Sequence, residues 1–169
     1  MAVVATKSTP ITNADSGIFT EARVFRGTLR QAVGIVEAVN GDSIASVYRH
    51  VRVPSNARVS RVLLSCDAIT TCAGDVGVYR TAADGGAVVD VDFFASAQSL
   101  AAALAHSDVT HEADAADAGV GYGLADTEKP LWQALQFTAD PKCEFDIAIT
   151  LTAAAGSAGT TSIKCDYAI

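Results

Sequence analysis

SIASVYRHVRVPSNARVSRVLLSCDAITTCAGDVGVYRTAADGGAVVDVDFF (Ser43–Phe94) reads as four consecutive β-strands with their turns. In the first, Val47, Val51 and Val53 fall on one face and Tyr48, His50 and Arg52 on the other. Pro54-Ser55-Asn56 breaks the run, because proline has no N–H for a ladder and Ser and Asn favour turns. Val62, Leu64 and Cys66 then recur at period two, followed by Val76 and Val78 against Gly77 and Tyr79. Asp84-Gly85-Gly86 supplies the positive-φ residues of a hairpin, after which Val89, Val91 and Phe93 alternate with Asp90 and Asp92. One apolar face and one wet face, repeated over short turns, predict an antiparallel sheet packed on a second sheet.

Outward from this stretch the strand pattern continues. Toward the N-terminus, VFRGTLRQAVGIVEAV (Val24–Val39) places Leu29, Val33 and Ile35 on one face and Arg26, Arg30 and Ala32 on the other. Its glycines and β-branched residues favour a strand, broken or bulged at a glycine, over a helix. Asn40-Gly41-Asp42 is a turn. Toward the C-terminus, CEFDIAITLT sets Cys143, Phe145, Ile147, Ile149 and Leu151 against Glu144, Asp146, Ala148 and Thr150. SIKCDYAI then directs Ile163, Cys165, Tyr167 and Ile169 inward.

Between these strands, SAQSLAAALAHS (Ser96–Ser107) is rich in helix formers behind a Ser N-cap and predicts a short helix. Thr110–Asp126 is acidic, glycine-rich and without period, a long loop. Pro130 opens a second short helix, LWQAL, with Trp132 and Leu135 on a buried side. The expected fold is therefore all-β: a two-sheet antiparallel sandwich of jelly-roll type with about eight strands and two short helices. Residues 1–22 show no period and form an extended N-terminal arm; residues 23–169 form a single domain.

Composition excludes several functions. Half of the 169 residues are hydrophobic, which opposes wholesale disorder, yet no run approaches the roughly 20 apolar residues of a membrane span. The start, MAVVATKSTPITNADSG, has no basic region ahead of a long apolar one and does not read as a signal peptide. Synthesis in a cytoplasm follows, and Cys66, Cys72, Cys143 and Cys165 are expected as free, buried thiols, with a Cys66–Cys72 clip the competitor. Net charge is −7, split between +3 over residues 1–80 (nine Lys/Arg, six Asp/Glu) and −10 over residues 81–169 (three against thirteen). Such a chain is poorly suited to nucleic acid, while its basic first half suits an acidic protein partner.

No nucleophile elbow, phosphate loop, zinc-protease or dinucleotide motif is present. His106 and His111 are five apart, the wrong spacing for one helical face. Asp90 and Asp92 share a strand face and would need a second wall to act as an acid/base pair. Glu112, Asp114, Asp117 and Asp126 lack the ligand ladder of a calcium loop. The expectation is no enzyme, no cofactor and no metal.

VYRHVRVPSNARVSRVLLSCDAI, with GDVGVYRTAADGGAVVDVDFFASAQSL, KPLWQALQFTADP and FDIAITLTAAA, resembles small virion structural proteins of tailed bacteriophages. These lie near the major capsid protein and are of the jelly-roll decoration, or cement, type. The resemblance covers roughly residues 43–155 and carries no catalytic motif. It implies a protein made in the host bacterial cytoplasm and placed on the capsid exterior. Its partners would be the major capsid protein and other copies of itself, as a dimer or trimer. A carbohydrate-binding or adaptor module of a phage tail or spike is the alternative, and it would present exposed aromatics on one face. For attachment, the aperiodic arm offers apolar anchors at Ile11, Ile18 and Phe19, followed by Arg23, Arg26 and Arg30.

Overall fold

The structure, a computed structural model, describes residues 6–20, 24, 27–116 and 121–169. Among the described residues there are eight strands: β1 (Leu29–Ala38), β2 (Val47–Pro54), β3 (Arg58–Cys66), β4 (Ala73–Arg80), β5 (Val88–Ser99), β6 (Leu104–Asp108), β7 (Glu144–Ala153) and β8 (Gly159–Ala168). They form two four-stranded sheets, ordered β1-β8-β3-β6 and β2-β7-β4-β5. Antiparallel pairing is nested: β4 with β5, β3 with β6, β2 with β7 and β1 with β8. This is a hairpin-like stack of strands rolled so that successive outer pairs alternate between sheets, the winding of a jelly roll. The two inner faces enclose one core that includes Val53, Leu64, Phe94, Tyr122, Phe145, Ile147, Ile149 and Ile163.

Local chemistry explains the elements. The β4–β5 turn is a 3-10 turn (Ala82–Asp84) capped by the Thr81 hydroxyl and closed by Gly85 at φ 86°, a conformation that costs a side chain least at glycine. The final strand β8 lies between β1 and β3, so the C-terminal residues are paired on both sides.

Four expectations are corrected. Val47 is exposed and Tyr48 buried, because His50 is an extra residue between the Arg49↔Ala148 and Val51↔Ile147 pairs and reverses the facing of the strand's first half. β1 pairs with β8 over ten residues without a break at Gly34, and Leu29, Val33 and Ile35 face outward. Ser96–Ser107 is not a helix. It completes β5, turns at 100–103 and begins β6, since Leu100 is needed in the core. The bulged backbone there is held by Asp75, whose carboxylate accepts the Ala97 N–H, and by Ser65, whose hydroxyl accepts the His106 N–H. The LWQAL helix exists as Leu131–Ala134, but Leu131 and Ala134 enter the core and Trp132 is half-buried, because the Leu131 and Trp132 N–H groups dock on the Ala57 and Ser55 carbonyls. Among the described residues helical turns also occur at α1 (Thr9–Asp15) in the arm, at α2 (Glu112–Ala116) and as a 3-10 turn (Leu124–Asp126) in the acidic loop, with Leu131–Ala134 as α3.

Candidate interface surface

The arm is partly ordered by its own sequence. Ser8 sits extended ahead of α1, Pro10 occupies the first turn, and the helix ends at Ser16 and Gly17. Lys7 and Asp15 pair across it at 2.5 Å, both exposed, so the pair contributes little. The expected anchors lie uncovered: Ile11 is 43% exposed, Ile18 58% and Phe19 102%. Arg23 and Arg26 fall outside the described residues. Arg30 is exposed on β1.

Beside Arg30 lies the face that strand periodicity gives to Leu29, Val33 and Ile35, and it is turned outward. On β1 the outward row includes Leu29, Val33 and Ile35, exposed by 61%, 54% and 67%. The inward row is Ala32, Gly34, Val36 and Ala38. A Cβ on Gly34 would lie 1.8 Å from the His50 carbonyl oxygen, so β1 passes too close to β2 to admit large side chains. The signal in the sequence was the small-residue row itself, not the apolar one. Val39, Ile44 and Val47 extend the exposed apolar set through the β1–β2 connection.

Charges on the two outer faces are largely satisfied internally. Next to β1, the Asp166 carboxylate accepts from Gln31 Nε2 at 2.7 Å and pairs with Arg61 at 2.9 Å. These bonds, Gln31 first, hold its carboxyl below the usual range. On the other sheet Asp146 accepts from Arg52 at 2.7 Å and Arg49 at 3.0 Å. Arg49 also donates to the Arg80 and Gly86 carbonyls and lies over the Tyr79 ring, fixing the β4–β5 turn.

The other candidate groups serve structure. Burial, and then a hydrogen bond with Asp92, raise the Asp90 carboxyl. The two acids therefore lean on one another instead of facing across a substrate gap. The cavity beside Asp90, about 280 Å³, is otherwise lined by Phe93, Gly121, Ala134, Leu135 and Gln136. His111 stacks on Tyr122 and its Nδ1 meets the Tyr122 carbonyl at 2.8 Å. Tyr48, Tyr79 and Tyr122 are all buried, so they offer no aromatic platform. Cys66, Cys72 and Cys165 are buried, Cys143 half-buried, and all four are unpaired. Among the described residues no group of three or more His, Cys, Asp or Glu is placed to hold a metal. No helix of the described residues is long and apolar enough to cross a membrane.

No protein-family model matches the chain, and no curated protein does. Two solved structures are similar in fold. One is a chain of the cyanophage Pam1 capsid asymmetric unit, 17% identical, with 99% of both chains covered and a TM-score of 0.55. The other is a chain of the capsid of Ralstonia phage GP4, 14% identical, with 84% of both chains covered and a TM-score of 0.48. The first likeness extends over the whole chain, arm included, and assigns it the fold of a protein found in a phage capsid.

Proposed function

We propose that this chain is a structural protein of a bacteriophage virion that binds the outer surface of the capsid and cements neighbouring major capsid proteins. The observation that carries the reading is the end-to-end fold likeness to a chain of a phage capsid. The molecule's chemistry supports it. Its polar clusters are consumed by internal bonds, while most of the uncovered large apolar groups among the described residues lie on the arm, on β1 and around the β1–β2 connection, with Val88 and Leu124 standing apart. Such a molecule acts by binding, without catalysis, and its partners are the shell and other copies of itself. Residues 1–30 supply much of the contact.

The test is direct. Purified chain mixed with undecorated particles should co-sediment at a fixed ratio to the shell protein and raise the temperature at which heads rupture. A glycan array run in parallel should stay blank. Saturable binding to a glycan with no binding to particles would replace this reading with a tail or spike adaptor.

A further inference from the structure

We propose that copies of this chain exchange N-terminal segments, the arm of one copy lying along the outer face of β1 of a second. β1 is an edge strand, ten residues long, without proline and without a bulge. Natural edges are usually blunted by such devices or by charge, and here the only charged residues are Arg30 and Glu37. Its large apolar row cannot be turned inward, since Gly34 has no room for a Cβ against the His50 carbonyl. The ladder with β8 runs its full length without a shift, so no alternative register hides the row either. Leu29, Val33 and Ile35 are therefore outward by construction.

The arm supplies the complement. Ile11, Ile18 and Phe19 are equally uncovered and lie just upstream in the same chain. Each copy thus carries one uncovered apolar segment and one uncovered apolar strand. Exchange covers both in every copy of a closed ring and leaves neither over. A shell protein seated on one of them would leave the other exposed. Nine residues separate Phe19 from Leu29, a reach of roughly 30 Å when extended, enough to cross to a neighbour. The arm can lay three apolar side chains over that row as anchors, Ile11 on α1 and Ile18 and Phe19 behind it.

The inference specifies the copy–copy part of the proposed cementing role, and it is tested on isolated protein. Light scattering coupled to size exclusion should show full-length chain as a dimer or trimer at micromolar concentration. Phe19→Asp, which spoils the arm, and Ile35→Asp, which spoils the strand face, should each raise the half-assembly concentration by about tenfold or more. Both positions are exposed, so far-UV circular dichroism should be unchanged; if Ile35→Asp unfolds, Ile35→Thr takes its place. Mixing the two variants should restore a one-to-one species, because the intact arm of one meets the intact face of the other. A monomeric wild type overturns the proposal and indicates an arm folded on its own strand. Loss of assembly in the Ile35 variant alone means that the faces pair with each other, and failure of the mixture to assemble excludes exchange. Particle binding is scored separately, so a chain that exchanges arms but ignores particles refutes the proposed function and not the exchange.

Discussion

His50 ties one sheet to the other. Its Nδ1 lies 2.9 Å from the Tyr48 carbonyl and its Nε2 2.9 Å from the Thr161 hydroxyl on β8. A carbonyl only accepts, so the neutral ring carries its proton on Nδ1 and the Thr161 hydroxyl donates to Nε2. Protonated, the ring donates to both, and Thr161 turns its hydrogen to the Val36 carbonyl 3.0 Å away. No hydrogen bond is lost, yet burial still pushes the imidazole down to about 4. The folded state thus resists a proton that the unfolded chain accepts near 6.5. Stability from this group is complete above pH 6.5 and falls as pH drops toward 4, by about 3 kcal/mol at most. Asp90, raised by burial, works in the opposite sense at the acid end. Denaturant unfolding of wild type against His50→Gln at pH 7.5 and 4.5 isolates the histidine: the variant should lose less stability on acidification, and equal losses would refute the assignment. The same backbone crossing makes Gly34 intolerant. Gly34→Ala should cost about 1–3 kcal/mol or more, because the obstructing atom is backbone and cannot swing aside.

At the scale of the elements, β5 and β6 show how tertiary structure overrides local preference. Ala-rich Ser96–Ser107 has the composition of a helix, but Leu100 fills the core and Glu112, Asp75 and Ser65 accept the N–H groups of Ser96, Ala97 and His106. The distortion leaves Ala97 at φ 50° and His106 at φ 54°, left-handed conformations that disfavour a Cβ. Ala97→Gly should therefore be neutral or stabilising by up to about 1 kcal/mol, where the same change in a helix would destabilise by a similar amount. A clear loss in thermal melting would contradict this geometry. β3, β7 and β8 were legible from sequence because their core-facing rows, such as Val62–Leu64–Cys66, Phe145–Ile147–Ile149–Leu151 and Ile163–Cys165, alternate without a break. The first half of β2 was not, since one extra residue at His50 inverts its facing and leaves no mark on composition. β1 misled for a different reason: its apolar row is the outward one, and periodicity reports which residues share a face, not which side that face is on. The anchors Ile11, Ile18 and Phe19 were legible as uncovered groups, whereas the strand row beside them emerged only from the Gly34 crossing.

Across the whole molecule, nested pairing brings β1 and β2, edge strands of different sheets, to the same side of the roll. The arm enters there, just ahead of β1, so the apolar strand row and the apolar segment belong to one region of the chain. Among the described residues, none ahead of β1 belongs to the core. Deleting residues 2–22 should accordingly leave the circular dichroism spectrum and the melting temperature of the sandwich nearly unchanged. Its effect should appear on particles. Each contact in a lattice is weak, and linking copies through arms turns later contacts into intramolecular ones, a gain of roughly 10²–10⁴ in apparent affinity. Without the arm that gain disappears, so occupancy at a fixed concentration of chain should fall sharply and heads should lose the added resistance to heat. Gel densitometry of sedimented particles reads the first quantity and the rupture temperature reads the second. If the truncated chain decorates particles at full occupancy, the arm is a dispensable tail and a sheet face makes the contact with the shell.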